Sequence, residues 1–141
     1  MPSTRSTKTR TDPDYRLLVV PRVSERTQRP TTLVVLETTK AFATFRYELS
    51  VKADASRSSL HLTVLGFRTP QLSLPSAGPA RFSQEYEEFN GPLEVTIQGI
   101  DGRSTAFSLQ IAPGSVTLAK KPRASFATIT TDLSQWHNRE F

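Results

Sequence analysis

Between residues 41 and 53 the chain alternates almost without a break. Ala43, Phe45, Tyr47, Leu49, Val51 and Ala53 fall on one parity, and Thr44, Arg46, Glu48, Ser50 and Lys52 on the other. A period of two turns the first set toward one face of an extended chain, whereas a helix would scatter it round the circumference. The segment therefore reads as a half-buried antiparallel strand. At about 3.3 Å per residue it would reach roughly 43 Å, so it is expected to bend or to change partners along its length.

The same parity recurs downstream. In residues 59–67, Leu60, Leu62 and Val64 point one way and His61, Thr63, Leu65 and Phe67 the other, so this strand ends apolar on both faces. Leu65 and Phe67 need cover, and the nearest candidates are Leu72 and Leu74, in a short segment fenced by Pro70 and Pro75 that reads as an edge or crossover strand. Residues 78–90 fit two patterns: Phe82, Tyr86 and Phe89 make a helical stripe, while Phe82, Gln84 and Tyr86 share a strand face. A helix would set Arg81 at its positive end and Glu87 and Glu88 at its negative end, which favours the strand.

Around Asp101 and Gly102 the register of a hairpin follows from burial. A two-residue turn would pair Ile97 with Ala106 and Val95 with Ser108, leaving Phe107 on the polar face. A three-residue loop, Ile100, Asp101 and Gly102, with Gly102 left-handed, pairs Leu93 with Leu109, Val95 with Phe107 and Ile97 with Thr105. The second register keeps every apolar side chain on one face and is the one expected.

Adding residues 17–23, 32–38 and 114–118 brings the count to seven or eight strands separated by turn residues, with no repeat of fixed period. The expected fold class is all-β, an antiparallel β-sandwich of immunoglobulin-like or jelly-roll-like architecture. Likeness at that level carries no function.

Charge divides the chain further. Of 18 Lys and Arg against 13 Asp and Glu, net +5, residues 1–30 hold seven cations and three acids, residues 31–118 seven and eight, and residues 119–141 four and two. Residues 1–16 are rich in Ser and Thr and lack apolar periodicity, so they read as a basic arm, disordered unless a partner holds it. Residues 17–118 are the expected β-sandwich domain, and 119–141 a C-terminal extension. There Phe126, Ile129, Leu133 and Trp136 recur at helical spacing, with a short helix expected from about residue 131 and Asp132 near its start. A lone Trp normally belongs to a core, so packing of Trp136 back onto the domain is favoured over a partner-binding tail.

Much chemistry is excluded. The chain has no Cys, hence no disulfide, thiolate metal site or Cys nucleophile. The longest aliphatic runs, 17–20 and 33–36, fall far short of the roughly 20 residues that span a bilayer, so no membrane partner is expected. Charged residues near the start are followed by no apolar region, and the expectation is a cytoplasmic protein. Phosphate loops, dinucleotide fingerprints, G-x-S-x-G and H-E-x-x-H are all missing. His61 and His137 lie in different elements with no partner at ligand spacing, so neither a metal nor a cofactor is expected.

Three functional readings follow. The first is a non-catalytic protein-interaction or structural assembly module, binding a protein partner or itself through Leu65, Phe67 and Trp136. The alternative is a nucleic-acid-associated or virion-like structural protein, neutralising phosphates with Arg5, Lys8, Arg10, Arg16, Arg22, Arg26 and Arg29. The third is a hydrolase using Glu85 and Glu87, which on a strand would project from one face roughly 6–7 Å apart. Two surface acids without sugar platforms are ordinary, and Arg81 is their expected partner.

Overall fold

The two uninterrupted apolar runs become neighbours. In the computed structural model, which describes residues 15–42, 48–68, 78–87, 89–120 and 126–136, β1 (Tyr15–Val23) pairs antiparallel with β2 (Pro30–Phe42). Leu17 lies opposite Leu36 and Val19 opposite Val34 on one face, Leu18 opposite Val35 and Val20 opposite Leu33 on the other. Strands apolar on both sides must be covered on both sides. The inner set enters the main core, and the outer set forms a second cluster closed by Trp136.

From β2 the sheet continues through β5 (Gly78–Tyr86), which pairs Phe82 with Leu36 and Tyr86 with Thr32. Residues 78–86 are thus a strand, as the charge argument favoured. Then follow β3 (Glu48–Ala55), β4 (Ser59–Arg68), β6 (Gly91–Gln98), β7 (Ser104–Ala112) and β8 (Ser115–Lys120). On the far side of β1 lies β9 (Ala127–Thr130). Hydrogen bonding runs through all nine described strands as one curled sheet, a half-barrel ordered β8-β7-β6-β4-β3-β5-β2-β1-β9.

This departs from the expected antiparallel sandwich in two respects: the described strands make one sheet, and the pairings β1–β9, β3–β5 and β4–β6 are parallel. The reason is physical. Alternation states which face of a strand is buried, and a sheet rolled on itself buries one face as two stacked sheets would. The concave face holds Leu17, Val34, Leu62, Val95, Ile97 and Leu109, all buried. Each such side chain gains about 1.5–3 kcal/mol from leaving water.

The roll is closed at one end by a close approach. Tyr15 and Phe126 meet edge to face with ring centroids 5.9 Å apart, and the hairpin joining β6 to β7 packs against them at Gly99. A Cβ at Gly99 would stand 3.4 Å from the Phe126 ring and 3.3 Å from the Asp101 carboxylate, so glycine permits the contact. The hairpin has the register that burial selected: Leu93 opposite Leu109, Val95 opposite Phe107, Ile97 opposite Thr105. Gly102 is left-handed at φ +90° and donates to the Gly99 carbonyl, while the Gly99 amide donates to that of Arg103.

The segment read as one long strand over residues 41–53 is divided. Its start closes β2 at Phe42, its end is β3, and β5 lies between the two in the sheet; residues 43–47 are outside the described residues. The tail supplies β9, parallel to β1, in place of the first part of a helical stripe. The expected helix is a single 3-10 turn, Leu133–Gln135, capped by Asp132, whose carboxylate accepts from the Ser134 amide at 3.0 Å.

Candidate functional site

The expected apolar overhang at Leu65 and Phe67 contains an irregularity of β4. Ser50 pairs with Gly66 and Val51 with Val64, so Leu65 is an extra residue, a β-bulge. Directly paired residues share a face, and Phe67 is paired with Leu49, a core residue. The bulge sets Phe67 in register with Leu49, yet Phe67 keeps 45% exposure, and Leu65 beside it is 61% exposed. Leu72 and Leu74, expected as its cover, lie outside the described residues.

Trp136 is 5% exposed and sits against Leu18, Val20, Leu33 and Val35. This is the packing-back arrangement. Of the three apolar residues assigned to partner binding, Leu65 and Phe67 are 61% and 45% exposed near the end of β4, while Trp136 is buried.

The assigned cations are likewise dispersed. Arg5, Lys8 and Arg10 lie outside the described residues. Arg16 is held on β1, where its Nε and Nη2 reach Glu37 Oε1 at 3.3 and 3.1 Å and Nη2 reaches the Thr38 carbonyl at 3.5 Å. Arg22, Arg26 and Arg29 belong to the opposite end of β1, with Arg22 roughly 20 Å from Arg16 at strand rise. There Arg22 meets Glu85 at 3.4 Å, both partly exposed.

Arg81 is not the partner of Glu85. Its Nε and Nη2 take Glu37 Oε2 at 3.0 and 2.9 Å, so each oxygen of this fully buried carboxylate is gripped by a guanidinium. Across β1, β2, β5 and β3 the register runs Arg16, Glu37, Arg81, Glu48, cation and acid in alternation. Sequence reasoning missed this row. A signal existed: Glu37 ends an apolar run of a strand buried on both faces, and a carboxylate there requires cations. Beside it the β2–β5 register shifts between Glu37 and Ala41, and the Thr38 hydroxyl accepts from the Ala80 amide at 3.0 Å, replacing a ladder bond.

A carboxylate dyad is poorly served. Glu85 is on β5 and tied to Arg22, whereas Glu87 stands past the strand end. Glu87 borders a cleft of about 370 Å³ with Arg29, Thr31, Tyr86, Phe89 and Asn90. The Tyr86 and Phe89 rings pack 4.9 Å apart, and the buried Thr31 hydroxyl finds no hydrogen-bond partner. His61 is exposed on β4, opposite Asp54, and His137 lies outside the described residues. Among the described residues no three His, Asp or Glu side chains gather to hold a metal, and no helix is long and apolar enough to cross a membrane.

Following strand direction, β1, β3, β5, β7 and β9 begin at the end where Tyr15 lies, and β2, β4, β6 and β8 finish there.

Comparison with protein-family models, with curated proteins and with solved structures finds no match.

Proposed function

We propose that this chain is a non-catalytic contact module, built as a half-barrel whose interior is given over to packing. The observation that carries this reading is the concave face, which Leu17, Val34, Leu62, Val95, Ile97 and Leu109 fill with buried apolar side chains. Support also comes from the outer face, where Arg16, Glu37 and Arg81 satisfy one another. A protein partner or a second copy, in a cytoplasmic setting, belongs to the same proposal; the finer β-sandwich class is not needed for it. The alternative, a nucleic-acid-associated structural protein, draws on the net charge of +5. A third reading, a hydrolase using Glu85 and Glu87, has Arg22 at 3.4 Å from Glu85.

The test uses the tagged full chain as bait at two salt concentrations, with and without nuclease, beside a Leu62→Asp chain whose core is broken. Material held by the folded bait and released from the broken one is expected. Identical capture by both, or substrate turnover abolished by Glu87→Gln, sinks the proposal.

A further inference from the structure

We infer that the cleft bordered by Arg29 and Glu87 binds a small zwitterion with an apolar flank, of the α-amino acid class. The inference goes beyond the contact-module reading and stands on different residues. β5 and β6 are separated in the sheet by β3 and β4, so the chain running from Tyr86 to Gly91 crosses the end of the roll at which β5 finishes. The cleft lies where this crossing meets the start of β2 and the end of β7. Its volume of about 370 Å³ is that of a small-molecule site.

The lining offers two kinds of surface. Tyr86, Phe89 and Ile111 are buried, with the two rings 4.9 Å apart, and give a hydrocarbon group something to pack against. Arg29 immediately precedes β2 and Glu87 immediately follows β5, so both flank the last ladder pair of these strands, Thr32 with Tyr86. Both are exposed, and they carry opposite charges on one cleft. Among the described residues neither side chain is engaged by an ion pair or a hydrogen bond. A ligand bearing a carboxylate and an ammonium answers both: the carboxylate accepts from the Arg29 guanidinium, and the ammonium donates to Glu87. An anion without the ammonium would meet repulsion from Glu87, and a cation without the carboxylate repulsion from Arg29. Thr31 adds a third polar group. It lines the cleft and is 6% exposed, and its hydroxyl has no hydrogen-bond partner among the described residues. Burying a hydroxyl in that condition is unfavourable, and the polar end of such a ligand supplies a partner.

The test titrates the isotopically labelled full chain with L-phenylalanine, L-leucine and L-tryptophan to about 10 mM, with amide NMR shifts reporting where each binds. Saturable shifts from at least one of them are expected at Thr31, Glu87, Asn90 and Ala112. Arg29→Gln and Glu87→Gln should each weaken that binding about three- to fivefold, as for exposed ion pairs. Both side chains are exposed, and emission of Trp136 checks that each variant is folded. The deaminated analogue, hydrocinnamate in the case of phenylalanine, separates the two roles: its binding should depend on Arg29 and improve with Glu87→Gln. Thr31→Val should weaken amino acid binding while leaving urea unfolding unchanged or moved to higher urea, since a hydroxyl that served the fold would be missed there. Absence of shifts with all three amino acids overturns the inference, as do shifts centred elsewhere on the chain. Hydrocinnamate bound as tightly as phenylalanine, with Glu87→Gln lacking effect, overturns it in favour of a simple carboxylate site. Partner capture by the folded bait is read separately, so either reading can fail without the other.

Discussion

Glu37 is the side chain on which the outer face of β1, β2 and β5 turns. It is fully buried, and two guanidinium groups take its four lone-pair directions between them. Removing one member of such a set is costlier than the net worth of the set, since the others are left desolvated and unbalanced. Glu37→Gln should therefore lose about 3 kcal/mol in urea unfolding, with Arg81, the more buried cation, the chief sufferer. A loss under about 1 kcal/mol would show that water already serves the two arginines. The bulge on β4 makes a contrasting pair. Leu65→Ser is expected to stay within about 0.5 kcal/mol of the parent, and Leu62→Ala to cost about 2–5 kcal/mol, because only Leu62 is surrounded by core.

Among the elements, the β6–β7 hairpin is the most self-contained. Asp101 accepts from the Arg103 amide at 3.1 Å and pairs with its Nε at 2.6 Å, and the same guanidinium lies 4.9 Å above the Phe126 ring. The Arg103 backbone N–H first, and its side chain second, hold the Asp101 carboxyl below its ordinary value of 3.8. A depressed folded value means that this contribution to stability is full above the ordinary carboxylate range and fades as pH falls through the folded value. Arg103→Ala keeps the amide donor, so NMR titration should show the Asp101 midpoint rising only part of the way back. Complete recovery would assign the effect to the side chain alone. Gly102→Ala forces a side chain onto a backbone at φ +90° and should cost about 1 kcal/mol or more. This hairpin was legible from sequence because its partners are near neighbours and one register wastes the apolar face. The strand assignment of residues 78–86 was legible from charge placement. The bulge was not: one extra residue at Leu65 reverses the parity that follows, and alternation cannot announce its own interruption. Nor was the clamp on Glu37, whose arginines stand 21 and 44 residues away in the chain. Their meeting depends on strand order, which parity does not encode. The same gap explains why the three parallel pairings, and with them the single rolled sheet, went unforeseen.

For the whole molecule, the closing contact is made by the tail. β9 adds to β1 over Tyr15 to Leu18, and Trp136 covers the second apolar cluster. Trp136→Ala should cost about 3–5 kcal/mol, read by denaturant unfolding followed in far-ultraviolet circular dichroism. A variant with parental stability would mean that another group covers Leu18, Val20, Leu33 and Val35. Beyond Leu18, β1 is paired on the β2 side alone among the described strands, and Pro21 sits in that stretch, where a residue without an amide hydrogen costs no ladder bond. This arrangement has a price in time. Translation delivers β1 and β2 early, while Trp136 emerges about 120 residues after Tyr15, and at roughly 5–20 residues per second the delay is on the order of ten seconds. Throughout it a hairpin greasy on both sides stands on the ribosome half clad, so a nascent chain of this design is a natural client for chaperones.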